Sequence, residues 1–294
     1  MTTTTTAAGM DWTTLVDAAT LAAHLGDPGL RIVDARFVLM GADPGAGERA
    51  WQASHIPGSA YADLDRDLSD HRKPASAGRH PLPDAADFCA SLVRWGITPA
   101  HQVVVYDAGD GAMAASRLWW LLRLLGHRRV AVLDGGFGQW VKQGLALEST
   151  PPDIAPGAYD GRFDQAAIAD ASAVAGFLER GGKLIDVRAR ERFRGDVEPL
   201  DTRAGHIPGA RNRPYPDNLA EGRFLPAEQL RADFLALIGD TPPSAVIFNC
   251  GSGVTACQGL LAMEHAGLTG ARVYAGSWSG WISDPARPIA TGAD

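Results

Sequence analysis

Ala245-Val-Ile-Phe-Asn-Cys250-Gly-Ser-Gly-Val-Thr-Ala-Cys257 changes its period partway through, and that change decides the fold class. Ala245 to Phe248 is a short apolar run behind Pro242-Pro243, which reads as a buried strand. Glycines at 251 and 253 then allow a tight turn. From Val254 the chain reads as a helix that Gly267 stops. Cys250 therefore leaves a strand end and enters a loop that opens a helix. Inward-turned N–H groups and the helix start make such a loop hospitable to an anion, and a thiol at its rim favours the reactive thiolate. Cys89 and Cys257 lie inside helical patterns and read as small buried hydrophobes instead.

Working outward, the same alternation of strand and helix recurs. Helical patterns at 14–25, 84–95 and 112–125 are interleaved with β-rich runs at Leu30–Val33, Gln102–Tyr106 and Val130–Leu133. That alternation predicts an α/β chain with mainly parallel sheets. The second half then repeats the landmarks of the first. His206-Ile-Pro-Gly follows His55-Ile-Pro-Gly by 151 positions, and Val246-Ile-Phe-Asn-Cys250 follows Val103-Val-Val-Tyr-Asp107 by 143. Tyr274-Ala-Gly-Ser-Trp-Ser-Gly-Trp281 follows Leu133-Asp-Gly-Gly-Phe-Gly-Gln-Trp140 by 141. Asp34/Arg36 and Asp186/Arg188 recur as well, and read as buried ion pairs at two sheet ends. Such a period is far too long for a solenoid unit, so the chain is a duplicated domain. Proline-rich Ser149-Thr-Pro-Pro-Asp-Ile-Ala-Pro-Gly marks the seam. The expected organisation is a disordered tail at 1–10, a first domain at 11–148, a linker at 149–165 and a second domain at 166–294. A cleft between the two is the expected small-molecule site. The duplication also supplies a control: where the second half has Cys250, the first has Asp107, which cannot carry sulfur.

Composition narrows the partners. With 294 residues and 46% hydrophobic content the chain supports two ordinary cores. A net charge of −7 disfavours nucleic acid or an acidic membrane as the main partner. Three cysteines make no disulfide framework and suit a reducing cytoplasm. Neither a signal peptide nor a membrane span is present in the pattern. Cys250, Cys257 and His265 lack zinc-ligand spacing, so no metal is expected. A phosphatase built on a cysteine loop needs arginine six residues on, where Ala256 stands. A monomer is the default.

These landmarks resemble the two-domain rhodanese-like sulfurtransferases, from Asp11 almost to the end. The most specific pieces are Cys250-Gly-Ser-Gly-Val-Thr255, both His-Ile-Pro-Gly segments and Gly276-Ser-Trp278. The resemblance implies double displacement, in which Cys250 takes a sulfane sulfur as a persulfide and passes it on. The acceptor would be a thiol, thioredoxin or cyanide, with no cofactor. Within the family, an uncharged loop looks like that of the 3-mercaptopyruvate enzymes, while thiosulfate enzymes usually carry cations there. Gly251, Ser252, Gly253, Val254 and Thr255 carry none, which favours mercaptopyruvate as the small anionic donor, with thiosulfate second. A non-catalytic sulfur-relay or binding module is the rival reading.

By the same resemblance Ser252 matches a loop serine that works with an aspartate and a histidine, here Asp65 and His80. A backbone-capping role is the other reading of His80. Arg192 matches an arginine that holds the donor's anionic end. The second arginine expected after Glu-Pro is missing, because the run is Glu198-Pro-Leu200-Asp-Thr-Arg203. Arg203 is the nearest substitute, with surface solvation as its other reading. Ala275 and Gly280 depart from the acidic residues usual around Gly-Ser-Trp, which touches a detail of the cleft wall.

Overall fold

Two sets of five short parallel strands carry the architecture. The first sheet contains β1 (Leu15–Val16), β2 (Leu30–Asp34), β3 (Ala60–Tyr61), β4 (Gln102–Tyr106) and β5 (Val130–Leu133), in the order β1-β5-β4-β2-β3. Next come β6 (Ile168–Ala169), β7 (Lys183–Asp186) and β8 (Arg211–Asn212), then β9 (Leu219–Ala220) and β10 (Arg223–Phe224), which form a separate antiparallel pair. With β11 (Val246–Asn249) and β12 (Arg272–Tyr274) the second sheet runs β6-β12-β11-β7-β8. Strand for strand, the two orders are the same, so the duplication read from the landmarks is a duplication of topology. The computed structural model describes residues 9–37, 43 and 45–293. Most of the expected tail at 1–10 lies outside the described residues.

Helices flank both sheets: α1 (Ala18–Ala22), α2 (Ala46–Ala53), α3 (Ala85–Arg94), α4 (Ala114–Leu124) and α5 (Gly136–Lys142) in the first half. The second half has α6 (Ala171–Glu179), α7 (Arg190–Arg194), α8 (Ala227–Ile238), α9 (Ala256–His265) and α10 (Ser277–Ile282). Every residue of β4 and β11 is buried, as a central parallel strand covered on both faces requires. One sequence expectation fails at the start of the chain. Leu15–Val16 lies outside any helix and pairs with β5, and the helix begins only after Asp17, whose carboxylate caps Thr20 N–H at 2.9 Å. A two-residue edge strand is too short to show a period of its own.

The halves meet through α4 and α9, the helices that follow Asp107 and Cys250. In α4 every residue except Arg123 is buried, and in α9 everything from Ala256 to Met263 is. A helix apolar on nearly all sides belongs inside a core. A single hydrophobic cluster accordingly runs through both halves, from Val105 and Leu118 to Phe248 and Leu261. The two loops at the starts of these helices are thereby held at one seam.

The repeated motifs are structural. His55 and His206 are fully buried, and their Nδ1 atoms bond the carbonyls of Trp51 (2.7 Å) and Phe193 (2.8 Å). Each also begins an isolated bridge that ties down the far end of its half, to Glu148 and Ala290 respectively. Asp34–Arg36 (2.7 Å) and Asp186–Arg188 (2.8 Å) are buried ion pairs, as read from the repeat.

Candidate active site

Cys250 follows β11 directly, is 3% exposed, and lines a cavity of about 170 Å³ at the seam. Its sulfur accepts the Gly253 N–H at 3.1 Å, so the loop aims a backbone donor at the thiol. That geometry requires glycine at 253. Its φ is +81°, and a Cβ there would collide with the Ala275 carbonyl. The loop is braced from α10: Trp278 N–H donates to Cys250 O at 3.0 Å and Ser279 N–H to Gly251 O at 2.9 Å. Ser277 is fully buried with φ +50°, an uncommon conformation for a residue with a side chain. Its hydroxyl accepts Cys250 N–H at 3.1 Å, donates to Tyr274 O at 2.9 Å and lies 4.0 Å from the sulfur.

Ser252 is also buried, and its Oγ lies 2.8 Å from His80 Nδ1, across 172 positions of sequence. Burial, with Arg117, Arg79 and His71 nearby, lowers the His80 pKa to about 3, so its ring is neutral at ordinary pH. His80 Nε2 lies 3.7 Å from Asp65 Oδ1. That separation exceeds a hydrogen bond, and the same oxygen is 3.0 Å from His71 Nε2. Asp65 is half exposed, so the Ser252–His80 contact is tight while the third link is loose.

Arg192, on α7, lines the cavity, and so do Gly251, Val254 and Thr255. Arg192 is held by Glu198 (2.7 and 3.2 Å) and by Asp201 at 3.3 Å. Arg188 lines the cavity too, so this member of a buried ion pair is also cavity wall. Arg203 does not line it; its carbonyl accepts Trp278 Nε1–H at 2.9 Å. Leu200 fills the place expected for the missing arginine with an apolar wall. Gly280 is packing rather than cleft wall, since a Cβ there would sit 2.8 Å from the Ser76 carbonyl of the first half.

Three contributors escaped the sequence reading. Arg79 reaches from the first half to Asp201 at 2.6 Å and lines the cavity. Arg117 on α4 is fully buried and donates to the carbonyls of Gly253 (3.1 Å), His80 (3.1 Å) and Leu68 (3.4 Å). No carboxylate pairs with it among the described residues, and burial lowers its pKa. His71 is the third. Beyond these three, Ser277 did have a signal, the Gly-Ser-Trp motif; Arg79 and Arg117 act across the seam, which no local pattern reports, and His71 acts within the first half on Asp65.

Asp107 occupies the equivalent loop of the first half. Its carboxylate accepts N–H groups from Gly109 and Gly111 at 3.1 Å and from Met113 at 3.4 Å. Full burial nevertheless raises its pKa to about 6, aided by Asp110. Cys257 sits on the helix as expected, with burial pushing its thiol up to about 12. Among the described residues, the carboxylates close enough to share a cation are Asp70, Asp84 and Asp87, which are already paired with Arg72 and Lys73 and do not line the Cys250 cavity. No helix among the described residues is long and apolar enough to cross a membrane.

A thiol held in an anion-accepting loop, facing a serine–histidine pair from a duplicated α/β domain, defines a sulfurtransferase of the tandem-domain type. The chain belongs to the rhodanese family: the Rhodanese-like domain model matches residues 17–143 and 170–284. A Pseudomonas aeruginosa relative named a probable 3-mercaptopyruvate sulfurtransferase is 49% identical over 281 residues, 95% of this chain and 98% of that one. A Mycobacterium tuberculosis relative, SseB, is 39% identical over 95% of this chain and 97% of its own length, and carries the provisional name of a thiosulfate sulfurtransferase. The crystal structure of SseA from Escherichia coli, a 3-mercaptopyruvate sulfurtransferase, matches with a TM-score of 0.79 and 33% identity, covering 91% of this chain and 99% of that one.

Proposed function

We propose that this chain transfers sulfur from 3-mercaptopyruvate to a thiol-type acceptor through a persulfide on Cys250. The thiolate attacks the donor sulfur, an S–S bond forms, and the C–S bond breaks with its electron pair left on carbon as pyruvate enolate. Protonating that enolate completes pyruvate. An acceptor thiolate, or cyanide, then attacks the outer sulfur and restores the Cys250 thiolate. Gly253 N–H stabilises the sulfur anion in both halves of the cycle. With the His80 proton on Nε2, Nδ1 accepts from Ser252, and this pair carries the proton between donor thiol and enolate. The 2.8 Å Ser252–His80 contact beside Cys250 carries the proposal, since a donor that leaves as an enolate needs a proton relay.

Thiosulfate is the second reading. The loop 251–255 has no cation, but Arg79 and Arg192 place two guanidinium groups beside Gly251, and a dianion benefits from them. Steady-state kinetics with both donors, on the wild type and Cys250→Ser, separate the readings. Mercaptopyruvate is expected to give the larger kcat/KM, and the variant to lose transfer from either. A thiosulfate preference reverses the donor assignment, and an active Cys250→Ser protein ends the persulfide mechanism. Three free cysteines suit a reducing compartment, and we place the protein in the cytoplasm on that ground; cell fractionation tests it.

A further inference from the structure

Gly253 and His80 touch the reacting groups from opposite sides of the seam, and one side chain holds both of them from behind. Gly253 N–H meets the Cys250 sulfur at 3.1 Å, and the Gly253 carbonyl accepts from Arg117 Nη1 at 3.1 Å. The His80 ring meets Ser252 Oγ at 2.8 Å, and the His80 carbonyl accepts from Arg117 Nη2, also at 3.1 Å. The same Nη2 reaches Leu68 O at 3.4 Å, in the segment that carries Asp65 and His71. A guanidinium is planar and rigid, so the two nitrogens of its fork fix the separation of the carbonyls they hold. Trp120, the next turn of α4, places its ring 5.6 Å from Arg117 Cζ, and Cys257 Sγ shares the Gly253 carbonyl at 3.4 Å. As a contribution to stability this arrangement makes little sense. Arg117 is fully buried, no carboxylate pairs with it among the described residues, and its Nε has no hydrogen-bond partner there. Burying a cation without a counter-ion is unfavourable, whereas an apolar side chain packs a core helix without that penalty. Nor does Arg117 line the cavity, so it does not meet the donor.

We propose that Arg117 is a positioning residue for sulfur transfer: its fork sets the thiol loop and the His80 loop at the separation that brings the Ser252–His80 pair to a substrate held at Cys250. It acts through Gly253 and His80 and touches no substrate. The role rests on the relay proposed above. Its requirement is for geometry. Lysine keeps the charge but offers a single point of attachment, so it cannot hold two carbonyls at a fixed separation.

Arg117→Lys, Arg117→Gln and His80→Gln in the full chain supply the test. Losing the fork lets the two loops slip past each other, so Arg117→Lys should lower kcat with mercaptopyruvate about a hundredfold and leave KM within about threefold. Transfer from thiosulfate and alkylation of Cys250 by iodoacetamide use the thiol without the relay, and both should stay within about threefold in the same protein. Combining Arg117→Lys with His80→Gln should add no more than about threefold to the loss of His80→Gln alone, because a misplaced relay cannot be lost twice. Arg117→Gln should resemble Arg117→Lys, since position and not charge is at stake. Equal losses with both donors, together with slowed alkylation, would make Arg117 a support of the whole fold and overturn the proposal. Full kcat in Arg117→Lys, losses that multiply in the double variant, or failure of both Arg117 variants to fold would overturn it as well. If His80→Gln keeps full activity with mercaptopyruvate, the relay falls and the role of Arg117 falls with it. If His80→Gln is impaired and Arg117→Lys is not, the relay stands and only the positioning role is lost.

Discussion

His80→Gln tests the relay at its centre. The ring touches Ser252 at 2.8 Å, is buried, and is neutral because its pKa is lowered to about 3. A positioned proton carrier contributes roughly 10²- to 10⁴-fold, so the variant should lose about that factor in kcat with mercaptopyruvate, on the order of 3–5 kcal/mol. Ser252→Ala should cost a similar amount. Because the two share one proton, the double variant should be no worse than about threefold below the poorer single. Asp65→Asn should cost far less, about tenfold at most, because its oxygen is 3.7 Å from His80, half exposed and nearer to His71. Thiosulfate expels sulfite without needing a proton, so its transfer should change only a few-fold in all four proteins. Stopped-flow or steady-state assays with both donors supply the comparison. Singles whose losses multiply, or an Asp65→Asn loss equal to that of His80→Gln, would show that no Ser252–His80 unit moves the proton.

Other consequences are as direct. Since His80 has its pKa depressed on folding, its contribution to stability is whole above the unfolded value near 6.5 and is lost as pH falls toward 3. Urea titrations at pH 7 and 5 should therefore show a drop roughly 2 kcal/mol smaller in His80→Gln than in the wild type; identical drops would contradict the buried neutral ring. Gly253→Ala should lose most activity and destabilise the fold by at least ~1–2 kcal/mol, the cost of a positive φ with a side chain, before the collision with Ala275 is counted. Brief iodoacetamide treatment read by mass spectrometry should modify Cys250 and spare Cys257, whose thiol is pushed up to about 12; early labelling of Cys257 would mean that α9 opens.

The parts legible beforehand were those with a local cause. β4 announced itself because three valines in a row suit a strand covered on both faces, and β11 because Cys250 and two glycines punctuate its end. Duplication was legible because landmarks recur in order, and the two identical strand orders are its structural form. What stayed hidden was either too short or too distant. β1 is two residues long, and its partner lies more than a hundred positions away. Arg79 and Arg117 look like ordinary charged residues in a loop and on a helix until the fold carries them to Gly251 and Gly253. Arg203 attracted notice by proximity in sequence, while the cation beside Arg192 came from the other half.

Asp107 gives the duplication a chemical asymmetry. Its carboxylate sits where the thiol of the twin loop sits, accepting three backbone N–H groups as a bound anion would. The first copy thus fills its own anion-accepting loop with a covalently attached carboxylate, which cannot carry sulfur. What it supplies instead is His80, Arg79 and Arg117, which reach the loop region of its twin. The result is a dimer made of one chain: the helper cannot be diluted away from the thiol it serves, and specific activity should not depend on protein concentration.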